Sequence, residues 1–122
     1  MGRKKILVID DERVWLGILR KFFRYYGYDV VGASSCAEGL QMLKLHQPDC
    51  IIVDYNLRDG DASVICAEVR GNSGIPNTPI IIFSGDSSAK VCLTGEHRAD
   101  KIQLKEEPLV NLLFLVGDLV GS

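Results

Sequence analysis

Asp10-Asp11-Glu12, Asp54, Ser84 and Lys105 are the residues of this chain placed to do chemistry, because each closes a short apolar run. Residues 6–9 lead into the acidic triplet, 51–53 into Asp54, 80–83 into Ser84, and Lys101–Leu104 into Lys105. Carboxylates are hard oxygen ligands for a small divalent cation. An ammonium and a hydroxyl can donate to the oxygens of a phosphoryl group. Singly, each residue has a plainer use: the Asp pair as a helix N-terminal charge, Ser84 as a cap, Lys105 as a surface cation. All of them at the ends of apolar runs form a pattern suited to a cation and a phosphoryl group.

The elements that must position them alternate along the chain. Residues 13–26 carry Trp15, Ile18, Leu19 and Phe22 at helical spacing, with Gly27 as a C-terminal cap. A weaker strand at Asp29–Ala33 follows, then Ser34-Ser35 as caps for a helix over 37–46 that turns Leu40 and Leu43 inward. Pro48 ends that helix, and Cys50–Val53 is apolar without alternation, as a strand covered on both faces should be. Asp59-Gly60-Asp61 makes a turn into a helix with Val64, Ile65 and Val69 inside. A Gly-rich loop at 71–77, a strand after Pro79, and a short, poorly patterned helix at 87–95 come next. The last strand is Lys101–Leu104, and Pro108 opens a final apolar helix. This alternation predicts an α/β fold, a doubly wound five-stranded parallel sheet with five helices, in a single domain over residues 1–122. In such sheets ligands bind beyond the carboxyl ends of the strands, where the strand order reverses.

Composition excludes other classes. The chain has 122 residues, 47% hydrophobic and 25% charged, with a net charge of −2. Without a basic face it is not expected to bind nucleic acid directly. No apolar run reaches the roughly 18 residues a membrane span needs. Cys36, Cys50, Cys66 and Cys92 are spaced neither for zinc nor for a thioredoxin-like pair. Cys50 and Cys66 read as buried hydrophobes, and His46 and His97 as surface residues. Reduced thiols and no signal peptide point to the cytoplasm.

From Lys5 to about Val120, the acidic pair, Asp54, Ser84-Gly85 and Lys105 at successive strand ends resemble the receiver domain of bacterial two-component response regulators. The resemblance implies a flavodoxin-like sheet in the order 2-1-3-4-5. It implies Asp54 as a phosphoacceptor nucleophile, and Mg²⁺ held by Asp10, Asp11, Asp54 and the backbone carbonyl of Asn56. Lys105 would pair with Asp54 at rest and with the phosphoryl group afterwards, and Ser84 would donate to a phosphoryl oxygen beside a roomy Gly85. The donor would be a phosphohistidine on a sensor histidine kinase or histidine phosphotransfer protein, or a small acyl phosphate. Such a domain promotes its own phosphorylation and dephosphorylation without being a turnover enzyme, and its modification switches a partner-binding surface.

Three positions depart from that family. Glu106 stands where proline usually follows the lysine. A cis bond before a non-proline residue costs roughly 2.5–4 kcal/mol, so a trans bond and a displaced Lys105 are expected. Ile102 replaces the usual aromatic switch, which shifts the expected response to a loop around residues 84–88. Arg58 replaces a common proline, and with Asn56 and Asp86 it is expected to flank the phosphoryl entrance.

Leu109, Leu112, Leu113, Val116 and Val120 would cover the sheet, leaving Val110, Phe114 and Leu115 for a homodimer or effector contact. Two rival functions fit parts of the same pattern. Haloacid-dehalogenase-type phosphatases begin with Asp-x-Asp, but Asn56 removes the second acid. The other rival is a phosphorylation-independent interaction module of the same fold.

Overall fold

Five strands form one parallel sheet, with helices on both of its faces, in a computed structural model that describes residues 2–72, 74–85, 87–95 and 97–121. The chain runs β1 (Lys5–Ile9), α1 (Arg13–Tyr25), β2 (Asp29–Ala33), α2 (Cys36–His46) and β3 (Cys50–Val53). It continues through α3 (Ala62–Ala67), β4 (Ile80–Ser84), a 3₁₀ helix (Ser87–Leu93), β5 (Lys101–Leu104) and α4 (Leu109–Val120). The strand order is β2-β1-β3-β4-β5, and every neighbouring pair is parallel. The order reverses between β1 and β3, which opens a crevice at their carboxyl ends.

Strand residues alternate between two cores. Leu7, Ile9, Ile51, Val53, Ile80 and Ile82 pack toward α2, α3 and the 3₁₀ helix. Ile6, Val8, Ile52, Ile81 and Phe83 pack toward α1 and α4, against Leu19, Phe23, Leu112 and Val116. Both faces being covered explains why β1, β3 and β4 are apolar throughout.

Helix ends follow local chemistry. Ser35 caps α2 by accepting the Glu38 N–H, while the Glu38 carboxylate reaches back to the Ser34 N–H. Gly27, at φ 93°, lets the chain leave α1 in a left-handed turn. A short antiparallel pair, Asn56–Leu57 with Gly60–Asp61, sits between β3 and α3. Its Asp59 caps α2 from outside the helix, accepting the N–H groups of Cys36 and Ala37 at 2.7 and 3.0 Å.

Several expectations shift. On α1 the inward positions are Trp15, Leu16, Leu19, Phe22 and Phe23, while Ile18 is exposed. On α3, Cys66 takes the place expected of Val64, which faces solvent. In both segments the other expected positions do face inward, and one border residue is turned out. One π turn, Glu68–Asn72, carries α3 into the start of the segment read as loop. The fourth helix is 3₁₀, matching its poor apolar period. All four cysteines are buried and unbridged, and burial pushes the Cys50 and Cys66 thiols up to about 12.

Candidate functional site

Asp10, Asp54 and Lys105 each lie one residue past a strand, and each is fixed by one further backbone bond to its neighbour. The Asp10 N–H donates to the Ala33 carbonyl at 3.0 Å, that of Asp54 to Ile9 at 2.9 Å, and that of Lys105 to Ser84 at 2.7 Å. The sheet's own ladder thus sets the three Cα positions before any side chain is considered.

Their side chains converge. Lys105 Nζ lies 2.8 Å from Asp10 Oδ2, 3.0 Å from Asp54 Oδ2 and 3.2 Å from Glu12 Oε1. The Asp10 and Asp54 side chains are 2% and 8% exposed, whereas Glu12 is 61% exposed at the rim. The bond to Glu106 is trans, as expected, and the Lys105 ammonium reaches both buried carboxylates. It lies over the rings of Trp15 and Phe83, at 5.6 and 5.9 Å from their centroids, and those rings meet edge to face.

Charge is unbalanced here. Burial raises the Asp10 carboxyl above its usual range, against the opposing pull of the Lys105 ammonium beside it. Burial likewise raises Asp54, helped by the nearby charge of Asp11, while Lys105 and the Asn56 backbone N–H act the other way. Burial disfavours the Lys105 charge, but the close carboxylates of Asp10 and Asp54 outweigh it and hold the ammonium well above the lysine range.

A divalent cation fits this donor set. One oxygen from each of Asp10, Glu12 and Asp54 lies within 4.8 Å of the others. Asp10 Oδ2 is buried and accepts no hydrogen bond; its contact with Lys105 is an ion pair off the hydrogen-bonding direction. Such an oxygen is costly to leave without a partner, and a cation supplies one.

The remaining predicted positions divide. Asp11 is half-buried next to the cluster, without an oxygen in that group of three. Asn56 is exposed and contributes its backbone N–H to Asp54. Ser84 is wholly buried at the end of β4, and a side-chain carbon built on Gly85 would meet open space. Ile102 is half-buried and packs against the core on the α2–α3 side of the sheet. Arg58 turns to the Ser34 hydroxyl at 3.3 Å. Asp86 lies outside the described residues. Sequence reasoning missed Glu12 as a partner of Lys105; its only signal was adjacency to the acidic pair.

A family model described as the response regulator receiver domain matches residues 6–112. The chain is 37% identical over 67 residues to the alkaline phosphatase synthesis transcriptional regulatory protein PhoP of Bacillus subtilis, covering 55% of this chain and 28% of that protein. It is 29% identical over 91 residues to the response regulator MprA of Mycobacterium tuberculosis, covering 75% and 39% respectively. The chain thus spans well under half the length of the curated relatives it matches. A solved response regulator receiver domain protein from Clostridium thermocellum superposes with a TM-score of 0.85 at 25% identity, over 97% of this chain and 94% of that one.

Proposed function

We propose a mechanism from one premise: the chain belongs to the response regulator receiver domain family and is a signalling domain of two-component systems. On this reading residues 1–122 form one receiver domain, and Asp54 accepts a phosphoryl group from a phosphohistidine of a sensor kinase or phosphotransfer protein. An Asp54 carboxylate oxygen attacks phosphorus as the P–N bond of the donor breaks. The electron pair leaves with the imidazole nitrogen, which takes up a proton. Asp10, Asp11, Asp54 and the Asn56 carbonyl would hold Mg²⁺, which when bound offsets the negative charge gathering on the phosphoryl oxygens. Lys105 turns an N–H toward a phosphoryl oxygen, and Ser84 donates a second hydrogen bond. Hydrolysis later reverses the modification at the same site, so the chain acts on itself and does not turn over a substrate.

One observation carries this reading: a buried ammonium bridges Asp10 and Asp54, from separate strands, in a site with more carboxylates than cations. Incubation with acetyl phosphate and Mg²⁺ should add the mass of one phosphoryl group, and Asp54→Asn should abolish the gain. A receiver-like module that acts by docking alone would gain no mass.

Partner contact on this reading is with a second copy through α4. Val110 and Phe114 are exposed there, and Asp118 is the helix's one ionised side chain, so an apolar self-complementary contact suits it. Sedimentation should show a concentration-dependent dimer that Phe114→Glu removes; a strict monomer contradicts it. Four buried, unbridged thiols suit the cytoplasm, and among the described residues no helix is long and apolar enough to cross a membrane.

A further inference from the structure

We propose that Glu12 is a positioning residue: it occupies one N–H donor of Lys105 at the mouth of the site and yields it to a phosphoryl oxygen. The inference rests on the reading of Asp54 as phosphoacceptor and adds to it a residue that controls how readily the site loads.

A lysine ammonium has three N–H donors and no acceptor. Here Nζ has three carboxylate neighbours, Asp10, Asp54 and Glu12, at 2.8, 3.0 and 3.2 Å. It donates hydrogen bonds to Asp54 and Glu12, while the Asp10 contact is an ion pair off the hydrogen-bonding direction. An incoming phosphoryl oxygen therefore competes with three carboxylates for the ammonium, and the most weakly held of them gives way. Separating Lys105 from Asp10 or Asp54 strands a buried carboxylate, which is costly. Separating it from Glu12 leaves a carboxylate that is 61% exposed and readily hydrated, so little is lost. Glu12 is the partner that gives way.

The backbone of Glu12 is held while its side chain is left to choose. Its N–H donates to Asp10 Oδ1 at 2.9 Å, and its carbonyl accepts the Leu16 N–H at 3.2 Å, closing the first turn of α1. It occupies the N-cap position, yet its side chain makes no capping bond and extends instead to Lys105. Trp15 and Phe83 wall the ammonium on other sides. The Glu12 contact is thus the exposed one among those that hold Lys105.

Two effects of Glu12 oppose loading: it competes for the ammonium, and its charge repels an anionic donor at the entrance. Glu12→Gln removes both while keeping the side chain's size. Loading by acetyl phosphate at saturating Mg²⁺, followed by intact mass, should then accelerate about two- to fivefold, the range an exposed ion pair can supply. Added salt should narrow the difference, since screening weakens the same contact in the wild type. Glu12→Asp, which keeps the charge, should restore at least part of the slow loading. Because Glu12 also lies in the group of carboxylates within 4.8 Å of one another, Mg²⁺ affinity is measured separately, without donor, from the fluorescence of Trp15. Loss of that exposed charge should weaken it by no more than about fivefold. A general structural disturbance would not separate loading from Mg²⁺ binding in this way. Unchanged or slower loading by Glu12→Gln overturns the proposal, as does Mg²⁺ binding weakened more than about fivefold, which would make Glu12 a metal ligand. If the wild type gains no phosphoryl group, the functional reading fails and this proposal falls with it. If the wild type loads and Glu12→Gln matches it, only the role of Glu12 is lost.

Discussion

Lys105 and Arg70 stand at opposite ends of the same sheet, and each gathers oxygens from several segments. Arg70 lies in the π turn after α3 and donates to the carbonyls of Arg98, Pro76 and Thr78, and to Asp100 at 2.8 Å. It meets one carboxylate and three neutral acceptors, so charge balances. Asp100 also accepts the Ile80 N–H at 2.7 Å, which ties the entries of β4 and β5 together. Lys105 instead meets three carboxylates, two of them buried. A cation that only holds chain segments together can be satisfied by carbonyls and one counter-ion. A cation left in a surplus of carboxylates sits where further positive charge, or a rearrangement of partners, is still favourable.

The largest test of that contrast is Arg70→Ala. It strands several carbonyls and removes the clamp on Asp100, and should lower stability by about 2–4 kcal/mol. At about 4 °C per kcal/mol for a domain of this size, Tm should fall by roughly 10 °C. Phosphoryl uptake below that melting temperature should stay near the wild-type rate. If uptake collapses while the fold persists, the two ends are coupled and the contrast is wrong.

Asp54→Asn should act in the opposite direction at neutral pH. The Asp10 and Asp54 carboxyls are raised in the folded protein, mainly by burial. In the pH range between the unfolded and folded values the native state therefore binds more protons, and stability falls as pH rises. Above the folded values that cost is fully present. Neutralising one carboxylate should relieve part of it, stabilising the protein by about 1–2 kcal/mol at pH 7. The gain should shrink as pH falls into the carboxyl range, where the wild type takes up the protons itself. Urea unfolding at several pH values measures this. A gain that persists unchanged at low pH would mean that packing, not charge, produced it.

How far each end could be read from sequence follows from where its partners lie. Asp10, Asp54 and Lys105 were legible because each directly follows a strand, and parallel strands bring their carboxyl ends into one row. Arg70 was not, because carbonyls at 76, 78 and 98 have no side-chain signature and depend on how two loops fold. Glu12 fell between: its position was visible beside the acidic pair, but its contact requires Lys105 to lean toward α1. Ile18 and Val64 were misplaced because an apolar residue on a helix border fits two arcs equally well, and packing against the sheet decides. The site's Cα positions therefore come from strand order, while its partnerships come from side-chain reach.

Mg²⁺ should separate the two ends more gently. At a concentration ten times its Kd, a ligand bound only to the native state stabilises it by about 1.4 kcal/mol. The shift should be present at pH 7 and fade on acidification, because protonated carboxyls bind the cation poorly. Amide hydrogen exchange can locate it: protection should rise at Asp10–Glu12, around Asp54–Asn56 and at Lys105, and stay constant at Ile80 and Asp100. Uniform protection across both ends would not count for the contrast, since global stabilisation alone produces that where exchange needs complete unfolding. The telling amides are those that open locally, and at these only the carboxyl-end group should respond. If Ile80 slows as much as Asp54 under local opening, the surplus of carboxylates is not what binds the ion. The balanced and unbalanced cations would then differ in partners but not in function.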